Sequence, residues 1–233
     1  MKIETIRCGQ SNVYLLNGEN GKAVLIDTGT SGWRDKVLEC CQEADVGLII
    51  LTHGHFDHCQ SAAYLAEKLN CPVGIAEEDV PLLEAHQKRK VFGKGIWGRF
   101  YAWASNRNIR TNEIEAVAPG VILKEGMSLS EYGIDGNIVK LAGHTKGSIG
   151  VRLSTGELFV GDAMQNILFP AVTWCYEDEE QAGISARRIQ NMDVTKLFFG
   201  HGWPKNGYLP RHPSVWERII QNDRKGDKTK CCD

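Results

Sequence analysis

Val46-Gly47-Leu48-Ile49-Ile50-Leu51-Thr52-His53-Gly54-His55-Phe56-Asp57-His58 passes from an apolar run directly into three histidines and a carboxylate. The run 46–51 predicts a fully apolar strand. Imidazole and carboxylate are donors suited to zinc and iron. Side chains two apart in an extended chain point to the same side, so His53 and His55 can grip one ion together. Beyond the cluster, Ala62, Ala63, Leu65, Ala66 and Leu69 are apolar at helical spacing, which predicts a helix starting near Phe56. Asp57 and His58 then stand at its mouth and can face a second ion. The competing reading is a solvated surface cluster without metal; three histidines packed this closely argue against it.

Working outward, 13–16 and 23–26 are short apolar runs separated by a Gly- and Asn-rich turn, and predict strands. Asp27-Thr28-Gly29-Thr30-Ser31-Gly32 follows and can cap a helix through about residue 41. A further strand is predicted at 72–76. A second strand-rich block covers 121–123, 138–141, 150–153 and 158–160, followed by a helix at 177–192, a buried strand at 197–199 and a final helix at 213–222. Strands followed by helices, twice over, predict an α/β architecture in which two sheets pack together with helices outside. The expected organisation is one domain over 1–225 with a flexible polar tail at 226–233.

Further ligand candidates follow apolar strands and sit among small residues. His144 lies in Ala142-Gly143-His144-Thr145, Asp162 in Val160-Gly161-Asp162-Ala163 and His201 in Phe199-Gly200-His201-Gly202. A glycine before each lets the backbone turn sharply and come close to an ion. A lone histidine after a strand is usually structural; three strand-end ligands added to the cluster are harder to dismiss. His86, in a basic segment, and His212, before a proline, read as non-ligands.

Composition is that of a globular enzyme: 233 residues, 42% hydrophobic and 24% charged. The net charge of −2 supplies no global field toward nucleic acid or an anionic membrane. No apolar run approaches the roughly 20 residues that span a bilayer, and Met1-Lys2-Ile3-Glu4-Thr5 carries no signal-peptide core. The expectation is a cytoplasmic protein with no membrane partner. Eight cysteines without a CxxC spacing then read as free thiols rather than a disulfide framework.

Residues 79–118 read as a helical insert. Between 85 and 112 there is no acid, while Lys88, Arg89, Lys90, Lys94, Arg99, Arg107 and Arg110 are interleaved with Phe92, Trp97, Phe100, Tyr101 and Trp103. One reading packs these aromatics on the body and leaves the charges solvated. The other makes the segment a lid over the metal site, or a homodimer contact, with Arg99, Arg107, Trp97 and Tyr101 as candidates for touching an anionic substrate.

The Asp27 turn, 52–58, 143–148, Gly161-Asp162 and Gly200-His201-Gly202 occur in an order that resembles the metallo-β-lactamase superfamily of metallohydrolases, in particular its glyoxalase II-like and lactonase-like branch. The resemblance runs from about residue 24 to 202 and implies an αββα sandwich of two mixed β-sheets flanked by helices. It implies that His53, His55 and His144 hold one metal ion, that Asp57, His58 and His201 hold a second, and that Asp162 bridges them. Asp27 matches the family's aspartate that supports the ligand loops without binding metal. Class B1 β-lactamases place a cysteine in the second site; here Asp57 stands there, so a β-lactam is not the expected substrate.

The implied cofactors are two divalent ions, zinc first, with iron or manganese as alternatives. Zinc can lower the pKa of bound water to about 7, and two ions can hold the resulting hydroxide and polarise a carbonyl or phosphoryl oxygen. The leading expectation is a dinuclear hydrolase of a small ester, thioester or lactone, with Asp57 orienting the water. A mononuclear iron oxygenase resembling persulfide dioxygenases is the alternative. A nucleic-acid phosphodiesterase is a third, supported by the basic aromatic insert and opposed by the slightly acidic net charge.

Overall fold

A computed structural model describes residues 1–18, 21–84 and 87–206. The expected helix at 213–222, the tail, His86 and His212 lie outside the described residues. The chain begins with three strands, β1 (Lys2–Cys8), β2 (Ser11–Asn17) and β3 (Lys22–Ile26), paired antiparallel in succession. Helix α1 (Arg34–Cys40) leads to β4 (Asp45–Ile50), which lies parallel to β3. Helices α2 (Phe56–Cys59) and α3 (Ala62–Leu69) lead to β5 (Val73–Ala76), parallel to β4. Helices α4 (Val80–Glu84) and α5 (Gly95–Thr111) precede β6 (Val121–Leu123), which pairs parallel with β5 and completes a six-stranded sheet in sequence order.

The second sheet starts with the antiparallel strands β7 (Gly136–Lys140), β8 (Ile149–Leu153) and β9 (Glu157–Phe159). A two-stranded ribbon, β10 (Met164–Gln165) and β11 (Ala171–Val172), and helix α6 (Glu179–Asn191) intervene. Strand β12 (Lys196–Phe198) then pairs parallel with β9, and β13 (Lys205–Asn206) closes the order β13-β12-β9-β8-β7.

Alternation along the strands sorts the core into layers. Val13, Leu15, Leu25 and Ile49 meet Val37 of α1 and Ala62 and Leu65 of α3. The neighbouring positions Tyr14, Leu16, Val24, Ile26, Leu48 and Ile50 face Ile138, Ile149, Val151, Phe159 and Phe198 of the second sheet. Val139, Leu141, Leu158 and Leu197 turn the other way and pack on Ala186 and Ile189 of α6. The result is helix, sheet, sheet, helix: the αββα sandwich.

Three expectations change. Strand 121–123 belongs to the first sheet, not to the second strand block, because it adds to the edge of β5. Asp27 is no helix cap: a 3-10 turn at Ser31–Trp33 precedes α1, and its N-cap residue, Trp33, makes no side-chain bond. Among its described residues the insert is α-helical only in α4 and α5, and residues 112–119 carry no regular structure. Strand β1 and the ribbon were not foreseen, since neither β1's mixed polarity nor two-residue strands produce a periodic signal. The six described cysteines are free, and all but Cys40 are buried. No helix among the described residues is long and apolar enough to cross a membrane.

Candidate metal centre

Strands β4, β7, β9 and β12 each deliver a loop to the same end of the sandwich, and those loops carry the predicted ligands. His53 and His58 are fully buried, His55, His144 and Asp162 are nearly so, and His201 and Asp57 are partly open to a cavity. Three groupings place one donor atom per residue within 4.8 Å of the others: His53, His55 and His144; His53, His58 and Asp162; and Asp57, His58 and His201. His55 Nδ1 lies 2.9 Å from His144 Nε2, and His58 Nε2 lies 3.4 Å from His201 Nε2. The Asp162 carboxylate stands between the sets, 3.6 Å from His144, 3.5 Å from His58 and 3.1 Å from His201. Asp57 Oδ2 is 3.3 Å from His201 Nε2.

The outer nitrogens fix which lone pairs face inward. Asp27 accepts the Thr52 amide at 2.8 Å and the Thr52 hydroxyl at 2.9 Å. That hydroxyl has one proton and has given it away, so it accepts from His53 Nδ1 at 3.1 Å. His58 Nδ1 donates to Asp27 at 2.8 Å, His144 Nδ1 to the Cys175 carbonyl at 2.7 Å, and His201 Nδ1 to the Gln10 carbonyl at 2.8 Å. Four imidazoles therefore turn Nε2 toward the centre, the orientation metal ligation requires. His53 Nε2 and Asp162 Oδ1 are buried without a hydrogen-bond partner. Orphaned, converging acceptors of this kind are costly unless a cation satisfies them, so the donor set fits divalent metal.

Local backbone supports the same reading. Asp27 adopts φ +60°, rare for a residue other than glycine, and this turns its carboxylate onto Thr52 and His58. Gly200 has no room for a side chain: a Cβ would sit 2.1 Å from Asp162 Oδ1. Gly161 combines φ +52° with a Cβ position 2.7 Å from Thr52.

Protonation follows the same division. Burial, reinforced by neighbouring imidazoles, holds His53 well below its ordinary range and His55 down at about 3; burial also lowers His144. These three are neutral, the form in which an imidazole can ligate a metal. Burial alone would depress His58 and His201, but the carboxylates around them win: His58 rises to about 9 and His201 well above its usual value. Burial opposes the charge on Asp57 and Asp162, yet His58 and His201 keep both carboxylates ionised far below the normal range.

Sequence reasoning missed the residues that lock the loops together. Asp79, fully buried, accepts from Gly54 N at 3.1 Å, Gly147 N at 3.0 Å and Thr145 Oγ1 at 2.6 Å, and pairs with Arg89. Arg89 also meets Glu177 at 3.1 Å, and Glu177 accepts from Lys146 N. Arg89 is thus no solvated insert charge. On the far side Tyr14 donates to the Phe199 carbonyl at 2.6 Å and Asn12 to the Phe199 and Gly202 carbonyls, gripping the His201 loop. These partners lie up to 190 residues apart in sequence, beyond any local motif.

A cavity of about 720 Å³ opens over the centre, lined by His55, Asp57, His144, Asp162 and His201 together with Trp33, Phe100, Tyr101, Ile167 and Trp203. Helix α5 therefore forms part of its wall. Of the four predicted substrate contacts, Tyr101 lines the cavity; Trp97, Arg99 and Arg107 are exposed and are not among its lining residues.

The profile of the Metallo-beta-lactamase superfamily matches residues 6–201. A probable metallo-hydrolase, MJ0888 of Methanocaldococcus jannaschii, is 28% identical over 201 residues, 82% of this chain and 87% of its own length. Hydroxyacylglutathione hydrolase 1 of Vibrio vulnificus is 27% identical over 191 residues, 78% of this chain but 59% of its own length. Among solved structures, TTHA1623 in a di-iron-bound form superposes with a TM-score of 0.65 at 26% identity, covering 88% of this chain and 94% of that one. The BLEG-1 B3 metallo-beta-lactamase superposes with a TM-score of 0.66 at 20% identity, covering 88% and 94%, a likeness of fold alone.

Proposed function

Since this chain belongs to the metallo-beta-lactamase superfamily, we propose that it is a dinuclear metal-dependent hydrolase of small esters, thioesters or lactones. The observation that carries the dinuclear reading is the pair of donor sets flanking Asp162, three neutral histidines on one side and Asp57, His58 and His201 on the other. A mononuclear centre would leave the second set without purpose. In this reading His53, His55 and His144 hold one ion, Asp57, His58 and His201 the other, and Asp162 bridges them. Zinc is the leading metal; TTHA1623 binds two irons, which keeps iron as the alternative. The thioester preference draws on the Vibrio relative's activity.

When bound, two divalent ions would acidify a water to a pKa of about 7 and polarise the substrate carbonyl. The chain's own residues do the rest. Asp27 and Thr52 hold His58 and His53 with their lone pairs inward. Asp57 remains a carboxylate at neutral pH and borders the cavity, where it orients the attacking water by accepting its hydrogen bond. Tyr101 and the neighbouring aromatics shield the reacting carbonyl from bulk water.

Elemental analysis of protein purified without added metal tests the reading, with thioester, lactone and phosphodiester panels alongside. About two metal equivalents per chain and thioester or lactone turnover are expected. A fully active enzyme with one iron per chain and oxygen uptake refutes it in favour of an oxygenase.

A further inference from the structure

The insert that carries so many cations contributes none of them to the open side of the catalytic cavity. Arg89 is bound to Asp79 and Glu177, Lys94 pairs with Glu179 at 2.9 Å, and Lys88 donates to the Arg110 carbonyl. Arg99 and Arg107 do not line the cavity. Yet among the described residues its wall does hold one guanidinium, that of Arg7 at the end of β1. Among the described residues, the carboxylates in the same lining are Asp57 and Asp162, both in the candidate metal centre.

Arg7 is held ready rather than spent. Its guanidinium carbon lies 3.5 Å from the centroid of the Trp203 ring, a stacked cation–π arrangement that fixes the plane of the fork. One Nη2–H points to the Gly202 carbonyl at 3.5 Å. No carboxylate among the described residues pairs with Arg7. The hairpin turn after it is tied to the metal-binding loop: the Gln10 carbonyl accepts from His201, and Ser11 forms a β-bridge to His201. The guanidinium is thereby referenced to the centre through the backbone, and its fork matches a carboxylate, sulfonate or phosphate.

We infer that Arg7, stacked on Trp203, is the anchor for an anionic group of the substrate. The apolar body then lies against Trp33, Phe100, Tyr101 and Ile167, and the scissile carbonyl reaches the His and Asp floor. The inference rests on the hydrolase reading for the bond that breaks, and it names the substrate class as anionic amphiphilic thioesters or esters. It moves the anion site from the insert to the first strand. Arg7 is a specificity residue; it donates no proton to the reaction.

Binding tests this without turnover. The probes are 2-(hexylthio)ethanesulfonate and 2-(hexylthio)ethanol, thioethers that differ in charge and cannot be hydrolysed. They are titrated into metal-loaded protein by tryptophan fluorescence. Wild type is expected to bind the sulfonate about ten-fold more tightly than the alcohol, the scale of one charge-assisted contact. Arg7→Met should bring the two within about two-fold with alcohol affinity and metal content unchanged, while the double variant Arg99→Met/Arg107→Met keeps the full preference. Should Arg7→Met not fold, Arg7→Lys decides: it retains the charge without the stacked fork and must weaken the sulfonate alone, by about three-fold or more. Equal affinity for both probes in wild type overturns the inference. So does a preference that survives in Arg7→Met, is undiminished in Arg7→Lys, or vanishes only in the Arg99/Arg107 variant. Hydrolysis of the hexanoyl thioester of 2-mercaptoethanesulfonate is followed separately; its absence tells against the hydrolase reading and leaves the binding contrast intact.

Discussion

One hydroxyl proton decides how His53 meets an ion. Thr52 donates to Asp27, so its oxygen is left to accept from His53 Nδ1, and the Nε2 lone pair faces the centre. Asp27 does the same for His58 directly. An amide in place of that carboxylate cannot accept from every donor now satisfied. Asp27→Asn is therefore expected to raise the dissociation constant for metal by about 10- to 100-fold, the usual cost of losing such a partner. Competition with a chromogenic chelator reads this, and unchanged far-UV dichroism separates it from unfolding; wild-type metal affinity would sink the argument. Asp162→Ala goes further. It removes the carboxylate lying between two sets of donors, so at least one metal equivalent should leave while the protein stays folded. Full occupancy in that variant would reduce Asp162 to a turn residue.

At the scale of elements, what was legible in the sequence was whatever local spacing encodes. The step from β4 into the histidine cluster, and the candidate ligands just past β7, β9 and β12, are short-range patterns of apolar run, glycine and donor. The long-range ties were not legible. Nothing around Asp79 in Ala76-Glu77-Glu78-Asp79-Val80 marks it as the joint between the 52–58 loop and the 143–148 loop, because its three donors come from residues 25 to 68 positions away. Nor could composition show that Arg89 would be drawn from the basic segment into this joint. The placement implies a measurable coupling. Asp79→Asn leaves Gly54, Gly147 and Thr145 competing for a poorer acceptor and Arg89 with Glu177 alone as its buried counter-charge. It should weaken binding at the three-histidine set more than at the other, so that metal titration shows one equivalent weakened while the second binds near the wild-type affinity. The conservative Asp79→Glu should restore less than half of it, since Gly147 has no spare space: even a Cβ there would lie 2.6 Å from the Asp79 carboxyl carbon. Parallel titrations that match wild type at both sites would make Asp79 a fold residue only.

For the whole molecule, gathering the ends of four strands at one rim concentrates titratable groups that the folded chain must tolerate without metal. Their signs differ. His53, His55 and His144 have folded values below the unfolded value of 6.5, His55 at about 3. Below pH 6.5 the unfolded chain therefore binds more protons than the folded one, and stability falls as pH falls. Asp57 and Asp162 are also depressed, so their contribution is present above the ordinary carboxylate range and is lost on further acidification. His58 and His201 run the other way. Their folded values are raised, His58 to about 9, so their contribution is complete below 6.5 and disappears as pH rises through about 9. Metal-free protein should thus be most stable between these limits, with melting temperature falling from pH 6.5 toward 5 and again from pH 8 toward 10. Metal replaces the protons on His58 and His201 and stabilises the folded state by mass action, about 4 kcal/mol at a thousand times the dissociation constant. The alkaline decline should then vanish in the loaded protein while the acid decline persists, because ligand protonation releases the ions. Thermal unfolding followed at pH 5, 7, 8.5 and 10, with and without metal, measures both limbs. A melting temperature of the metal-free protein that keeps rising from pH 7 to 10 would mean that the carboxylates do not hold His58 and His201 charged, and that the two donor sets are less tightly joined than their distances imply.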